Sequence, residues 1–126
     1  MNNNKKTIIN KQKHKSHEKF LIAKNARKTI QYIENTVINF PKEYFTLKNK
    51  TIECSYNILE NIYRANIFQD IKDKKEIIVQ IQLLNFYLDV ALRKGLITEK
   101  KYLSFGRYLL ELDSMVRTWI SNEEDK

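Results

Sequence analysis

Proline occurs once, glycine twice and cysteine once in these 126 residues. An all-β chain needs many turns rich in Gly and Pro, so that scarcity favours helices. Cys54 has no second cysteine to pair with, which excludes an internal disulfide. No apolar stretch of the 7 to 15 residues typical of a signal peptide lies near Met1, and no run approaches the roughly 18 apolar residues of a membrane span. The expected compartment is the cytoplasm, with no membrane association. Phosphate-cradling glycine loops are excluded with only Gly95 and Gly106 to build them.

Catalytic chemistry is equally sparse. His14 and His17 lie three apart in a Lys-rich stretch, with no Cys, Asp or further His nearby to complete a metal shell. Cys54 falls on an apolar stripe and reads as buried filler rather than a nucleophile. A small helical RNase of the HEPN type needs an Arg followed closely by a His, and no Arg precedes either His. Glu53, Glu60, Asp89, Glu111 and Asp113 are scattered, as solvated helix faces require. The expectation is a non-enzyme with no cofactor and no metal.

What is present is positive charge and helical periodicity. Lys and Arg number 23 against 15 Asp and Glu, for a net charge of +8, and the pI is about 9.5. Phosphate-rich partners are the first electrostatic candidates. Residues 1–19 carry a net +5 and residues 122–126 a net −2, which leaves +5 on the body. The expected organisation is a disordered basic arm over 1–17, one helical domain over 18–121, and an acidic tail over 122–126.

Apolar residues recur at spacings of three and four through the body. A first helix over about 18–38 aligns Ile22, Ala26, Thr29 or Ile30, Ile33 and Val37. Asn39, Phe40 and Pro41 interrupt it, with Pro41 suited to the first turn of the next helix. A second helix, about 44–68, aligns Leu47, Thr51, Cys54, Ile58, Ile62 and Ala65. A third, about 72–94, aligns Ile77, Ile81, Leu84, Leu88 and Ala91, and Gly95 ends it in a left-handed cap. Thr98 caps a fourth helix, about 99–121, carrying Tyr102, Phe105, Leu109, Leu112, Val116 and Trp119. The expected fold is all-α, an antiparallel up-down four-helix bundle.

Two helices have an apolar stripe to spare. Val79, Leu83, Phe86 and Val90 lie opposite the core stripe of the third helix; Phe45, Ile52, Tyr56, Leu59 and Tyr63 lie off that of the second. A monomer buries one stripe per helix, so the expectation is a homo-oligomer with Tyr56, Leu59, Val79, Leu83, Phe86 and Val90 at the interface. The candidate surface for nucleic acid or a partner is Lys24, Arg27, Lys28, Lys48, Lys50, Arg64, Arg93, Lys94, Lys100, Lys101, Arg107 and Arg117, with Lys72, Lys74 and Lys75 as further basic surface. Arginines are expected to be the stronger anchors, because a guanidinium fork pairs bidentately.

The ordered landmarks Phe40-Pro41-Lys42, the stripe from Leu47 to Ala65, Leu83-Leu84-Asn85-Phe86-Tyr87-Leu88, Ile97-Thr98 and Met115-Val116-Arg117-Thr118-Trp119-Ile120 form a pattern. Over about residues 20–120 the chain resembles the accessory variability determinant (Avd) proteins of bacterial diversity-generating retroelements. It also resembles the wider four-helix family that includes proteins encoded in 23S ribosomal RNA intervening sequences; the terminal Trp-Ile is more similar to the retroelement branch. The resemblance implies a homopentameric barrel that binds RNA and possibly DNA, docks the retroelement reverse transcriptase and supports mutagenic copying of a template RNA. Asn85 and Asp89 depart from the pattern, because relatives often place Arg on that face. A ribosomal-RNA-associated or orphan four-helix protein with no reverse transcriptase partner is the alternative, and a nuclease or toxin component a second.

Overall fold

The computed structural model describes residues 21–124, and side chains as far as Glu123. The basic arm over 1–17, with His14 and His17, lies outside the described residues. Four helices account for nearly all of the rest: α1 over 21–37, α2 at Phe45–Phe68, α3 at Ile71–Arg93 and α4 at Glu99–Glu124. No strand occurs among the described residues.

Each junction has a local cause. Past α1 the chain turns through 38–40, burying Phe40 to 9% exposure. Pro41 does not enter the helix as the sequence suggested; it is extended (φ −57°, ψ 153°) and caps a short 3-10 turn, Lys42–Tyr44, that runs into α2. Between α2 and α3, Gln69 takes the left-handed conformation (φ 53°), its N–H donating to the Ala65 carbonyl at 3.0 Å. Asp70 then caps α3 by accepting from the Lys72 N–H at 2.9 Å. After α3, Gly95 adopts φ 73°. The Gly95 and Leu96 N–H groups reach back to the Leu92 and Ala91 carbonyls at 3.0 and 2.9 Å, satisfying the orphaned end of the helix. Thr98 caps α4, its hydroxyl accepting from the Lys101 N–H at 3.1 Å.

The core follows the stripes read from spacing, with Ala23, Phe40 and Ile97 added and Leu47, Tyr102 and Trp119 only partly buried against it. Ile33, Val37, Ile58, Ile77, Leu84, Leu88, Phe105, Leu109, Leu112 and Val116 are each at most 1% exposed. At roughly 1.5–3 kcal/mol per buried aliphatic or aromatic side chain, these contacts dominate the favourable side of folding. Thr29, Thr51 and Ser55 are also buried, and each hydroxyl donates to the carbonyl four residues earlier, so no polar atom is stranded.

Helices α1 and α2 meet where Arg27 donates to the Tyr63 hydroxyl (2.9 Å) and Tyr56 donates to Glu34 (2.7 Å). α1 meets α4 where Tyr32 sets its ring edge against Phe105 and Tyr108, at 4.8 and 5.7 Å, and where Asn25 donates to the Met115 sulfur at 3.1 Å. α3 packs on both α2 and α4. The order around the bundle is therefore α1, α2, α3, α4, with α1 and α3 on the diagonal. α4 runs to Glu124, beyond the expected end near residue 121. Its last turn is held because Glu123 pairs with Lys74 on α3.

Candidate functional site

The outward side of α1 is polar. Lys24, Arg27, Lys28, Gln31 and Asn35 are all exposed, and at 100° per residue they fall on one face. Its core stripe of Ile22, Ala26, Ile33 and Val37 requires this, since it turns the remaining positions to water. The diagonal helix is the opposite case. On the outward face of α3, Val79 is 47% exposed, Leu83 40% and Phe86 55%, with Val90 half-buried. This apolar stripe touches no core and has Lys72 and Lys75 at one end, Arg93 and Lys94 at the other.

The second helix departs from expectation in part. Phe45, Tyr56 and Tyr63 are exposed as their spacing suggested, whereas Ile52 and Leu59 are partly buried and pack against the core. Tyr56 is exposed, but its hydroxyl is turned onto Glu34 of α1, and that hydrogen bond raises the phenol above its usual pKa. Spacing alone hid this because a long tyrosine reaches the neighbouring helix from an outward position. Conversely, Leu103 and Leu110, 57% and 70% exposed, put two unforeseen apolar side chains on the outer face of α4; their seven-residue spacing was the available signal.

Pairing divides the cations. Arg64, Arg93 and Arg117 each sit over a carboxylate four residues earlier on the same helix: Glu60 at 3.8 Å, Asp89 at 3.1 Å and Asp113 at 2.8 Å. Arg27 is engaged with Tyr63, and Arg107 lies 3.5 Å from the Ser104 hydroxyl. Lys101 donates to Thr36 at 3.3 Å, and Lys48 is 5.9 Å from the Phe45 ring. Lys24, Lys28, Lys50, Lys94 and Lys100 meet no carboxylate among the described residues. Charge that no described carboxylate offsets therefore sits mainly on lysines, with Arg107, which faces a neutral hydroxyl, beside them. Lys74 leaves the basic surface altogether: it is 3% exposed, its ammonium paired with Glu123 and set 4.5 Å from the centroid of the Trp119 ring.

Chemistry-bearing groups are otherwise ordinary. Cys54 is buried, its thiol donating to the Gln80 carbonyl at 3.1 Å, and burial with help from the Glu53 charge pushes its pKa up to about 11. Such a thiol stays protonated and unreactive near neutral pH. No cluster of three or more His, Cys, Asp or Glu suited to a metal occurs among the described residues. No described helix is long and apolar enough to cross a membrane. A groove of about 360 Å³ opens between α3 and α4, lined by Lys75, Ile78, Arg117, Ile120 and Ser121.

These features sit on a scaffold of known type. A crystal structure of a protein with unknown function from the S23 ribosomal protein family of Bacteroides thetaiotaomicron VPI-5482 superposes with a TM-score of 0.76. The two are 16% identical, and the match covers 82% of this chain and 98% of the other. The shared property is the four-helix fold. That neighbour fits the ribosomal group of the resemblance and does not single out the retroelement branch. No known family profile matches the chain, and no curated protein matches it.

Proposed function

We propose that this chain is a non-enzymatic adaptor, an antiparallel up-down bundle that self-associates through α3 and binds nucleic acid through its cationic surface. One observation carries the reading: the polar face of Lys24, Arg27 and Lys28 on α1 lies diagonally across the bundle from the apolar face of Val79, Leu83 and Phe86 on α3. Association through α3 removes apolar surface from water and leaves α1 of every subunit outward. Repetition around a ring multiplies the field that attracts phosphates. The up-down antiparallel order is supported by contact pairs whose numbers fall on α2 or α4 as they rise on α1.

The sequence resemblance extends this to a homopentamer serving a diversity-generating retroelement, with RNA or its cDNA as the nucleic acid and the reverse transcriptase as the docked protein. A ribosomal-RNA-associated role without a polymerase is the second reading, and the S23-family neighbour favours it. The test has two arms. Labelled single-stranded RNA should bind the purified chain with an affinity that falls linearly on a log–log plot against salt, and the native mass should be a multiple of the 15.2 kDa chain. Co-expression with a reverse transcriptase encoded beside this chain then separates the readings. Stable co-purification supports the retroelement role, and RNA binding without it supports the ribosomal one. Salt-independent binding by a monomer would overturn both.

A further inference from the structure

The groove between α3 and α4 combines features that the reading above leaves unused. Arg117 and Ser121 are one turn apart on α4, and Lys75 and Ile78 one turn apart on α3, with Ile120 completing the lining. Ile78 and Ile120 are half-buried against the core and form an apolar floor. Arg117 is prepared for a ligand. Its Nε is bound to Asp113 at 2.8 Å, which orients the guanidinium, and no described residue takes its two terminal amino groups. Ser121, exposed one turn further on, supplies a hydroxyl to the same side.

The lining selects among anions. A phosphodiester would use Arg117 but gain nothing from two isoleucines, and unpaired bases prefer aromatic platforms, which are not among the groove's lining residues. A carboxylate one helical turn from an aliphatic side chain uses both halves at once. We infer that the α3–α4 groove docks an amphipathic helical segment of a partner protein. Its Asp or Glu sits on the Arg117 fork and Ser121, and its Leu or Ile lies on Ile78 and Ile120. This deepens the protein-docking half of the proposed function and rests on it only for the partner's identity.

The experiment is fluorescence anisotropy on the full chain with three probes: a labelled synthetic helix carrying glutamates one turn from leucines, the same helix with glutamines, and a labelled single-stranded oligonucleotide. The acidic helix should bind saturably and more tightly than the glutamine helix. Arg117→Gln and Ser121→Glu should each weaken it about tenfold or more, the loss expected for one charge-assisted hydrogen bond. Arg117→Lys should weaken it nearly as much, because the charge stays but the fork is lost. All three variants should keep the wild-type far-ultraviolet dichroism and elution volume, and Arg117→Gln reports independently of any effect of Ser121→Glu on the helix. Equal binding of the two helices, or unchanged binding in Arg117→Gln, overturns the inference. A parallel loss of oligonucleotide and helix binding overturns it in favour of a phosphate site. If the acidic helix binds as expected but no reverse transcriptase co-purifies, the groove stands and the partner's identity falls.

Discussion

The Lys74 ammonium lies 4.5 Å from the centroid of the Trp119 ring and pairs with Glu123, tying the start of α3 to the end of α4. The Lys74 side chain is 4% exposed and that of Glu123 32%, so one partner is withdrawn from water and the other only in part. A cation held against an indole face gains about 0.5 kcal/mol when exposed and about 2 or more when desolvated. Removing Glu123 takes a carboxylate away from an ammonium that is almost wholly withdrawn from water. Glu123→Gln should therefore destabilise more than Lys74→Met, which keeps the aliphatic stem and frees Glu123 to rehydrate. Urea unfolding should show losses of about 2–3 kcal/mol for the first and about 1 for the second. The reverse order would mean that the pair, and not burial of the ammonium, governs this end of the bundle.

Cys54 gives a pH prediction with a fixed sign. Its pKa rises from 9.0 to about 11 because burial, and then the Glu53 charge, disfavour the thiolate. The unfolded chain releases this proton near pH 9 and the folded chain keeps it, so the unfolded state binds fewer protons between the two values. Stability attributable to Cys54 is complete below pH 9 and falls as pH rises towards 11, by about 2–3 kcal/mol in all. Tyr56, raised by its hydrogen bond to Glu34, acts in the same direction, so the comparison must isolate the thiol. Chemical denaturation of wild type and Cys54→Ala at pH 8 and pH 10.5 should show a smaller pH-dependent loss in the variant. Identical losses would place the effect elsewhere.

Phe86 stands 55% exposed at the middle of the α3 stripe. An aspartate there costs the isolated subunit little, since the position is already wet. In an interface, desolvating an unpaired carboxylate costs several kcal/mol at each contact. Phe86→Asp should retain the helical dichroism and melting of a folded bundle while light scattering falls to the mass of one chain. A wild-type chain already monomeric at micromolar concentration would remove the subunit interface from the proposal.

The bundle was legible because burial in a helix imposes a spacing of three and four, and Ile77, Ile81, Leu84 and Leu88 keep to it. Gly95 and Thr98 were legible for the same local reason, each having backbone chemistry that other residues supply poorly. Lys74 shows where such reasoning stops: it sits on the same spacing, three before Ile77, yet its charge points to water. Trp119 and Glu123, brought over by α4, turn the contest towards burial. Paired arginines are a different case. Glu60–Arg64, Asp89–Arg93 and Asp113–Arg117 are spaced for ion pairs in the sequence itself, and summing charges hides what spacing reveals. The α3–α4 groove could not be read at all, because its two sides come from helices whose register only packing sets.

That division of cations decides which substitutions should weaken nucleic-acid binding. A phosphate drawn to Arg64 or Arg93 competes with a carboxylate already one turn away, and although such exposed pairs are worth only about 0.2–1 kcal/mol, the neighbouring negative charge offsets part of the local field. Lys24 and Lys28 are exposed on one face of α1 and meet no described carboxylate, so a phosphate near them displaces only water and counterions. Each true phosphate contact adds about 0.7 to the salt slope for single strands. Lys24→Gln with Lys28→Gln should thus lower the slope by about 1.4 and weaken binding at low salt most. Arg64→Gln with Arg93→Gln removes as much formal charge but should move the slope much less, because Glu60 and Asp89 were already answering it. Glutamine preserves helix propensity in both pairs, so elution and dichroism should match wild type. Equal slopes for the two double variants would show that binding follows net charge alone, and the α1 face would lose its claim to be the site.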